Sequence, residues 1–183
     1  MPDVKQTISD FYKVAQERDF ARDFHFRVLS INTDSSVTSV TFDEDDLVYV
    51  KTAALPGREI SDVTVPYMGL PFHVPGIVSY PTSEGYSLTF YADAKSKIRS
   101  KFEEWSMATF DDASSTGNYN VPKASSTIDL LQLDANLDKL AQYQLVGVSP
   151  RSVGEMGYTM AEATGSALEF TATLAFHYWR KIG

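Results

Sequence analysis

The chain has 183 residues, of which 43% are hydrophobic and 13% aromatic. A chain of this size can bury roughly 70% of its unfolded surface in one core, so we expect a single domain. The net charge of −8 and the lack of a Lys/Arg stripe argue against a nucleic-acid-binding protein, and the absence of cysteine excludes disulfides, thiolate metal sites and thiol nucleophiles.

The first ten residues contain no apolar core after a basic start. No window approaches the roughly eighteen apolar residues that a membrane-spanning helix needs. We therefore expect a protein that is made in the cytosol and is soluble there, without a membrane anchor.

The first predicted element is an amphipathic helix over residues 7–18. Ile8, Phe11, Tyr12 and Ala15 recur at helical spacing, and Thr7 or Ser9 is suited to cap the helix. Strands are predicted at 24–31 and 47–53. The polar segment 32–46 joins them, ends in an acidic run at 43–46, and has room for a short strand at 37–42.

Residues 51–76 are rich in proline and glycine, with two apolar runs at 60–65 and 72–74. These runs predict the arms of an extended hairpin or loop. Proline cannot donate a hydrogen bond to a neighbouring strand, so the arms are expected at an edge and not at the centre of a sheet.

The next predicted elements are a strand at 86–92 and a helix. Tyr86, Leu88 and Phe90 alternate toward one face of the strand. The helix buries Ile98, Phe102 and Trp105, and Asp93 lies near its start. Residues 111–126 then form a long polar loop, because they carry too little apolar area to fold alone.

Strands at 127–133 and 140–148 precede a twelve-residue strand predicted at 168–179. Its apolar face predicts core packing by Phe170, Leu174 and Phe176 against the helix that carries Phe102 and Trp105. A strand of this length implies a large sheet, a barrel or pairing with another chain. The pattern predicts an α+β fold, a mostly antiparallel β sandwich or barrel with two flanking helices.

Motifs for catalysis and metal binding are missing from the sequence. His25, His73 and His177 are widely spaced, and no catalytic-serine elbow or phosphate-binding loop is found. Adjacent carboxylates at 103–104 and 111–112 point away from each other. We therefore expect no catalytic residue, no metal and no cofactor.

Several local patterns resemble the tail tube proteins of contractile-tailed bacteriophages, which are related to the tube proteins of type VI secretion. They are a run at 19–22 after the first helix, an Ala-Leu-Pro-Gly bend at 54–57, the Phe-x-x-Trp of Phe102 and Trp105, and a Gly-x-x-Pro-x-x-Val-Gly-Glu turn at 147–155. The resemblance covers nearly the whole chain. Segments 32–46 and 111–126 depart from it, because both are longer than the family pattern.

The resemblance implies a structural virion protein and not an enzyme. Family members form hexameric rings that stack into the inner tube of a contractile tail, through which DNA is ejected. The implied partners are other copies of the chain, the tail sheath, the tape measure protein, the baseplate and the tail terminator, with DNA passing in transit and without specific binding. The implied location is the virion, after assembly in the host cytoplasm, with residues 1–183 as one tail tube domain.

By the same resemblance, the segment 51–76 and the N-terminal region supply contacts between subunits and between rings. The interface residues implied in that segment are Leu55, Pro56, Gly57, Val65, Pro66, Met68, Leu70, Phe72 and Val74. Ordinary core packing remains the alternative for Leu55, Met68, Leu70 and Phe72.

The polar face of the last predicted strand, Glu169, Thr171 and Thr173, is the hypothesis for the lumen. Six copies carry six times −8, or −48, and charge on the bore would repel DNA phosphates. An outward face toward the sheath is the alternative, because alternation does not say which side is inside.

Three other functions stay open at this point. The first is a baseplate tube-initiator protein of the same fold, and the second is the tube protein of a non-viral contractile injection or type VI secretion system. The third, of a different class, is an enzyme with a β-barrel.

Overall fold

The computed structural model describes residues 7–34, 37, 40–118, 122–161 and 165–183. These residues form three helices, α1 (Ile8–Arg18), α2 (Glu44–Leu47) and α3 (Lys97–Thr109). They also form twelve strands: β1 (Phe26–Asn32), β2 (Val50–Thr52), β3 (Glu59–Tyr67), β4 (Leu70–Ser79), β5 (Tyr86–Tyr91), β6 (Phe110–Asp111), β7 (Thr116–Gly117), β8 (Thr127–Leu133), β9 (Lys139–Val146), β10 (Ser149–Val153), β11 (Glu169–Ala175) and β12 (Tyr178–Ile182).

Eight of these strands belong to two four-stranded sheets. The first sheet has the strand order β1-β8-β9-β12, and the second sheet has the order β10-β11-β5-β2. The other strands form two separate hairpins, β3–β4 and β6–β7. All these pairs are antiparallel, so the expected α+β fold with mostly antiparallel strands is confirmed; the short helix α2 was not predicted.

The hydrophobic core lies between the apolar faces of the two sheets. Alternate side chains point inward because a strand places successive residues on opposite faces. The first sheet contributes Val28, Ile128 and Leu145, and the second contributes Leu88, Phe90, Phe170 and Leu174, all in one buried cluster.

Helix α3 covers part of this core with one apolar face. The ring of Phe102 lies 5.3 Å from the ring of Phe90 and 6.2 Å from that of Phe170, in tilted and edge-on arrangements that favour aromatic packing. The rings of Trp105 and Phe42 are 6.2 Å apart between their centroids, in an edge-on arrangement. The residues expected in the core, Phe102, Trp105, Phe170, Leu174 and Phe176, are all buried.

The start of α3 is held by Asp93, as its position in the sequence suggested. Its carboxylate accepts hydrogen bonds from the backbone N–H groups of Ile98 (3.3 Å) and Lys95 (3.2 Å). Desolvation raises the pKa of Asp93, but these and other backbone donors outweigh it, so the pKa lies below its usual value. The ionised carboxylate thereby satisfies N–H groups that have no partner inside the helix.

The single strand predicted at 168–179 is wrong. The chain leaves the second sheet after β11 and enters the first sheet as β12, with Phe176 and His177 between them. The bend fits because Gly147 (φ +72°) lies directly against the His177 ring, where a Cβ would overlap it. Alternation continues to the buried Phe176, so the residue pattern gave no sign of the change of sheet.

The strand predicted at 47–53 is also shorter than expected. Leu47, the first residue of the predicted strand, is instead the last residue of α2. The acidic run forms the start of this helix, because carboxylates are favourable at a helix N-terminus. Lys101 of α3 donates to Asp46 at 2.5 Å and to Asp43 at 3.2 Å, which fixes α2 on α3.

The short strand expected at 37–42 does not form at its described residues, 37 and 40–42; residues 38 and 39 lie outside the described part of the chain. Val37 and Val40 instead pack into the core. The expected loop at 111–126 begins with the two-residue strands of the β6–β7 hairpin, and its residues 119–121 are outside the described part.

Candidate assembly surfaces

The β3–β4 hairpin extends away from both sheets. Every residue from 59 to 78 is exposed, although many of them are apolar. The hairpin predicted from the two apolar runs is therefore present, and it is longer than those runs. A two-stranded hairpin is at best marginally stable alone in water, so a ribbon of this length needs cover from another surface.

The strand register gives the hairpin two different faces. Val63 pairs with Val74, Val65 with Phe72 and Tyr67 with Leu70, which places six apolar side chains in three cross-strand rows. We call these six residues the apolar hairpin face. The opposite face carries the pairs Asp62–Pro75, Thr64–His73 and Pro66–Pro71. One side of the ribbon is therefore suited to a hydrophobic partner.

Four of the expected interface residues lie on the apolar hairpin face: Val65, Leu70, Phe72 and Val74. Pro66 lies on the opposite face, and Met68 is in the turn between the strands. Sequence reasoning missed Val63 and Tyr67. Both continue the period-two alternation of Val65, so the alternation of β3 was the signal that could have found them.

The bend at 54–57 is held against the body of the protein. The Tyr86 hydroxyl donates to the Ala54 carbonyl at 2.7 Å, and Trp179 Nε1 donates to the Gly57 carbonyl at 3.1 Å. Leu55 is exposed, but Pro56 is buried within its own chain. Pro56 therefore exposes little surface in the single chain, and its place in an interface between copies stays a prediction.

Helix α1 offers a second apolar surface. Thr7 caps the helix as expected, in a reciprocal arrangement with Asp10, yet no residue of the helix is buried. Its apolar side chains Ile8, Phe11 and Tyr12 are exposed, and the Phe11 ring lies 6.1 Å from that of Phe20. The apolar side of this amphipathic helix is thus exposed to solvent in the single chain.

The outward face of the second sheet is polar and carries mostly hydroxyl groups. Glu169, Thr171 and Thr173 of β11 lie opposite Tyr91, Thr89 and Ser87 of β5. The hydroxyls of Thr89 and Thr171 are 3.1 Å apart. We call this surface the hydroxyl face; Ser152 of β10 and Thr52 of β2 extend it on either side.

The charges on the hydroxyl face are paired. Lys51 Nζ lies 2.5 Å from Glu169 Oε1, and this hydrogen bond raises the pKa of Lys51. The exposed pair is screened by solvent, so it contributes little to stability. The positive charge of Lys51 compensates the negative charge of Glu169. This pair therefore adds no net negative charge to the hydroxyl face.

Within the residues described, no group of three or more His, Asp or Glu side chains is placed to hold a metal ion. No helix in that part of the chain is long and apolar enough to cross a membrane.

A family model described as phage tail tube protein matches residues 15–181. The chain belongs to this family. Proteins of the tail tube family are structural parts of a tube and not enzymes, and the exposed apolar surfaces described above fit a subunit that is covered by others. No curated protein matches the chain.

The tail tube fold of this chain is also found in contractile injection systems. It is similar to a chain in the structure of the anti-feeding prophage cap, described as a tube terminating cap, with a TM-score of 0.59 and 11% identity over 89% of this chain and 91% of that one. A chain in the anti-feeding prophage baseplate gives a TM-score of 0.58 and 14% identity, covering 90% and 96%. A chain in the sheath-tube complex of an extracellular contractile injection system, PVC, gives 0.51 and 13%, covering 93% and 97%. At these identities the similarity shows a shared fold.

Proposed function

We propose that this protein is the repeated subunit of the inner tube of a contractile phage tail. Six copies form a ring, rings stack into a hollow tube, and DNA passes through the bore when the phage ejects its genome. Residues 1–183 act as one tube domain. The observation that carries this proposal is the apolar hairpin face, which the described part of the chain leaves uncovered.

Contacts between copies would use the apolar hairpin face and α1. Three rows of apolar side chains on a projecting ribbon, together with Ile8, Phe11 and Tyr12 on a surface helix, leave two separate hydrophobic surfaces in one chain. Surfaces that differ from each other make head-to-tail contacts, which close into rings or continue as filaments. A stacked tube needs contacts that close each ring and contacts that join one ring to the next.

The hydroxyl face is our candidate for the wall of the bore, with Glu169, Thr171 and Thr173 at its centre. Nucleic-acid binding depends on Lys and Arg groups that displace counterions from phosphate. The only lysine described on this face is paired with Glu169, and Arg151 of the edge strand β10 is paired with Glu84, so these residues offer DNA no uncompensated positive charge. A neutral wall of hydroxyl groups would let DNA pass without being held.

The edges of the second sheet support the same arrangement. Strands β10 and β2 lie at its two edges, where no further strand among the described residues pairs with their backbone donors and acceptors. Pairing of β2 in one copy with β10 in the next would join the second sheets of six copies into a closed barrel, which has no free edge.

The remaining partners follow from the tube role. The outside of the tube would face the tail sheath, its ends would meet the baseplate and the tail terminator, and the tape measure protein would occupy the bore before DNA. Assembly would take place in the host cytoplasm and the product would be part of the virion.

Electron microscopy of the purified protein over a concentration series tests this function. The repeated tube subunit gives six-fold rings that stack into hollow tubes. Rings that never stack would indicate a baseplate tube-initiator protein instead, and a strict monomer at high concentration would refute the tube role. Because the tube of a non-viral injection system would look the same, purification of the assembly from a phage particle completes the test.

A further inference from the structure

We propose that the tip of the β3–β4 hairpin, centred on Met68, inserts into a depression lined by Phe20, Leu133 and Leu140 of another copy of this chain. The inference rests on the proposed tube function and names the surface that receives the hairpin.

The backbone at the hairpin tip is unusual for the residue it carries. Met68 and Gly69 have φ angles of +51° and +82°, as in a two-residue type I′ turn. Glycine and asparagine adopt such angles readily, whereas methionine does so at a cost. The Met68 side chain is also 87% exposed. The Met68 side chain therefore does not pack against its own chain, and methionine is not a residue that the backbone conformation of this turn favours. A contact with another molecule would account for a methionine at this position.

The proposed receiving surface lies where α1 ends against the β8–β9 turn. It is a depression of about 420 Å³, within the size range of binding pockets. Its apolar lining consists of Phe20, Ala21, Leu133, Ala135 and Leu140, and its polar lining consists of Arg18, Asp19, His25 and Asp134. A backbone hydrogen bond from Leu133 to the His25 carbonyl, 3.0 Å long, fixes one wall.

The carboxylates at this depression already have partners in their own chain. Asp134 accepts backbone hydrogen bonds from residues 136 and 138, both at 2.8 Å, and Asp19 accepts one from the Phe20 N–H at 2.6 Å. An apolar group that enters the depression would leave these hydrogen bonds in place, so its entry would not strip the carboxylates of their partners.

The occupant of the depression that we propose is the hairpin tip of a second copy of this chain. Residues 63–78 include no Asp, Glu, Lys or Arg, so the tip brings no charge that the depression would need to neutralise. The methionine side chain is flexible enough to fill an irregular apolar surface. Tip and depression are different surfaces of one chain, so their contact would be head-to-tail and would repeat from copy to copy.

The first experiment compares Met68→Asn with Met68→Leu. Asparagine suits the type I′ turn and removes the apolar side chain, whereas leucine keeps an apolar group at the same backbone cost. We expect Met68→Asn to raise the protein concentration needed for assembly by about tenfold or more, without lowering the melting temperature of the monomer. Met68→Leu should assemble close to wild type. Wild-type assembly by Met68→Asn would overturn the proposal.

The second experiment uses the absence of cysteine from the chain. Met68→Cys protein is mixed with Leu140→Cys protein under mild oxidation, and we expect a disulfide-linked dimer. The matched control mixes Met68→Cys with Met107→Cys, since Met107 is an exposed methionine on α3 away from the depression. Equal yields from the two mixtures would overturn the proposal. If the wild-type protein forms tubes but the specific crosslink does not form, this inference is refuted and the tube function is not. If the wild-type protein forms no rings, the tube function is refuted as well.

Discussion

Replacement of Phe72 by alanine tests the hairpin at its centre. Full burial of a phenylalanine side chain is worth about 1.5–3 kcal/mol. Phe72 is 51% exposed in the single chain, so about half of this, roughly 0.8–1.5 kcal/mol, remains to be gained from cover by another copy. Each contact should therefore weaken by about four- to tenfold, and a ring of six contacts should lose roughly 5–9 kcal/mol in all.

Sedimentation velocity over a concentration series measures this loss, and thermal unfolding monitored by circular dichroism measures the stability of the monomer. We expect Phe72→Ala to shift assembly to an about four- to tenfold higher concentration, with a small change in melting temperature. Tyr158→Ala is the matched control, since Tyr158 is a 72% exposed aromatic residue outside the helices and strands. If Phe72→Ala assembled at the wild-type concentration, the hairpin face would not be the contact surface.

Three further changes have defined outcomes. Gly147→Ala should destabilise the fold by about 2 kcal/mol or more in urea unfolding, because φ is +72° and the new Cβ overlaps the His177 ring; a loss below about 0.5 kcal/mol would contradict the account of the bend. Burial raises the pKa of Tyr86, so its contribution to stability is complete below about pH 10 and is lost as the pH rises further. Tyr86→Phe should therefore lose less stability than wild type between about pH 10 and 12, and an equal loss would refute this origin. Glu169→Lys changes the charge of the hydroxyl face by +2 per copy and leaves two lysines together, so tubes should still form but DNA ejection should slow most at low salt. The control is Glu103→Lys, which makes the same charge change at the Arg99–Glu103 ion pair of α3, and unchanged ejection kinetics for Glu169→Lys would remove Glu169 from the bore.

The elements that the sequence predicted well are those that bury one face within the chain itself. Strand β5 and helix α3 lie near their expected positions because the core selects alternate residues in one and every third or fourth residue in the other. The Thr7 cap of α1 was found for a local reason, since the capping hydrogen bonds involve only neighbouring residues.

The errors come from information that periodicity does not contain. Alternation continues through Phe176 although the chain then changes sheets, because both sheets enclose the same core. The burial of Pro56 was not predicted, because the bend at 54–57 is held by long-range hydrogen bonds from Tyr86 and Trp179. Such contacts are set by tertiary structure and leave no local signal.

The assembly surfaces were partly predictable. The resemblance to the tail tube family marked four of the six residues of the apolar hairpin face, and ordinary core packing within the same chain remained the alternative. The register that pairs Val65 with Phe72 and Tyr67 with Leu70 decides which side of the ribbon is apolar, and register follows from the turn at Met68 and Gly69.

Under the proposed assembly, the uncovered hairpin also governs how tubes begin. A free subunit carries a ribbon that is marginal alone, whereas a subunit added to an existing end finds a surface already in place. The first few contacts are then the least favourable, so growth should show a lag that preformed ends remove. The supply of nuclei, more than the amount of free subunit, would decide how many tubes a cell makes.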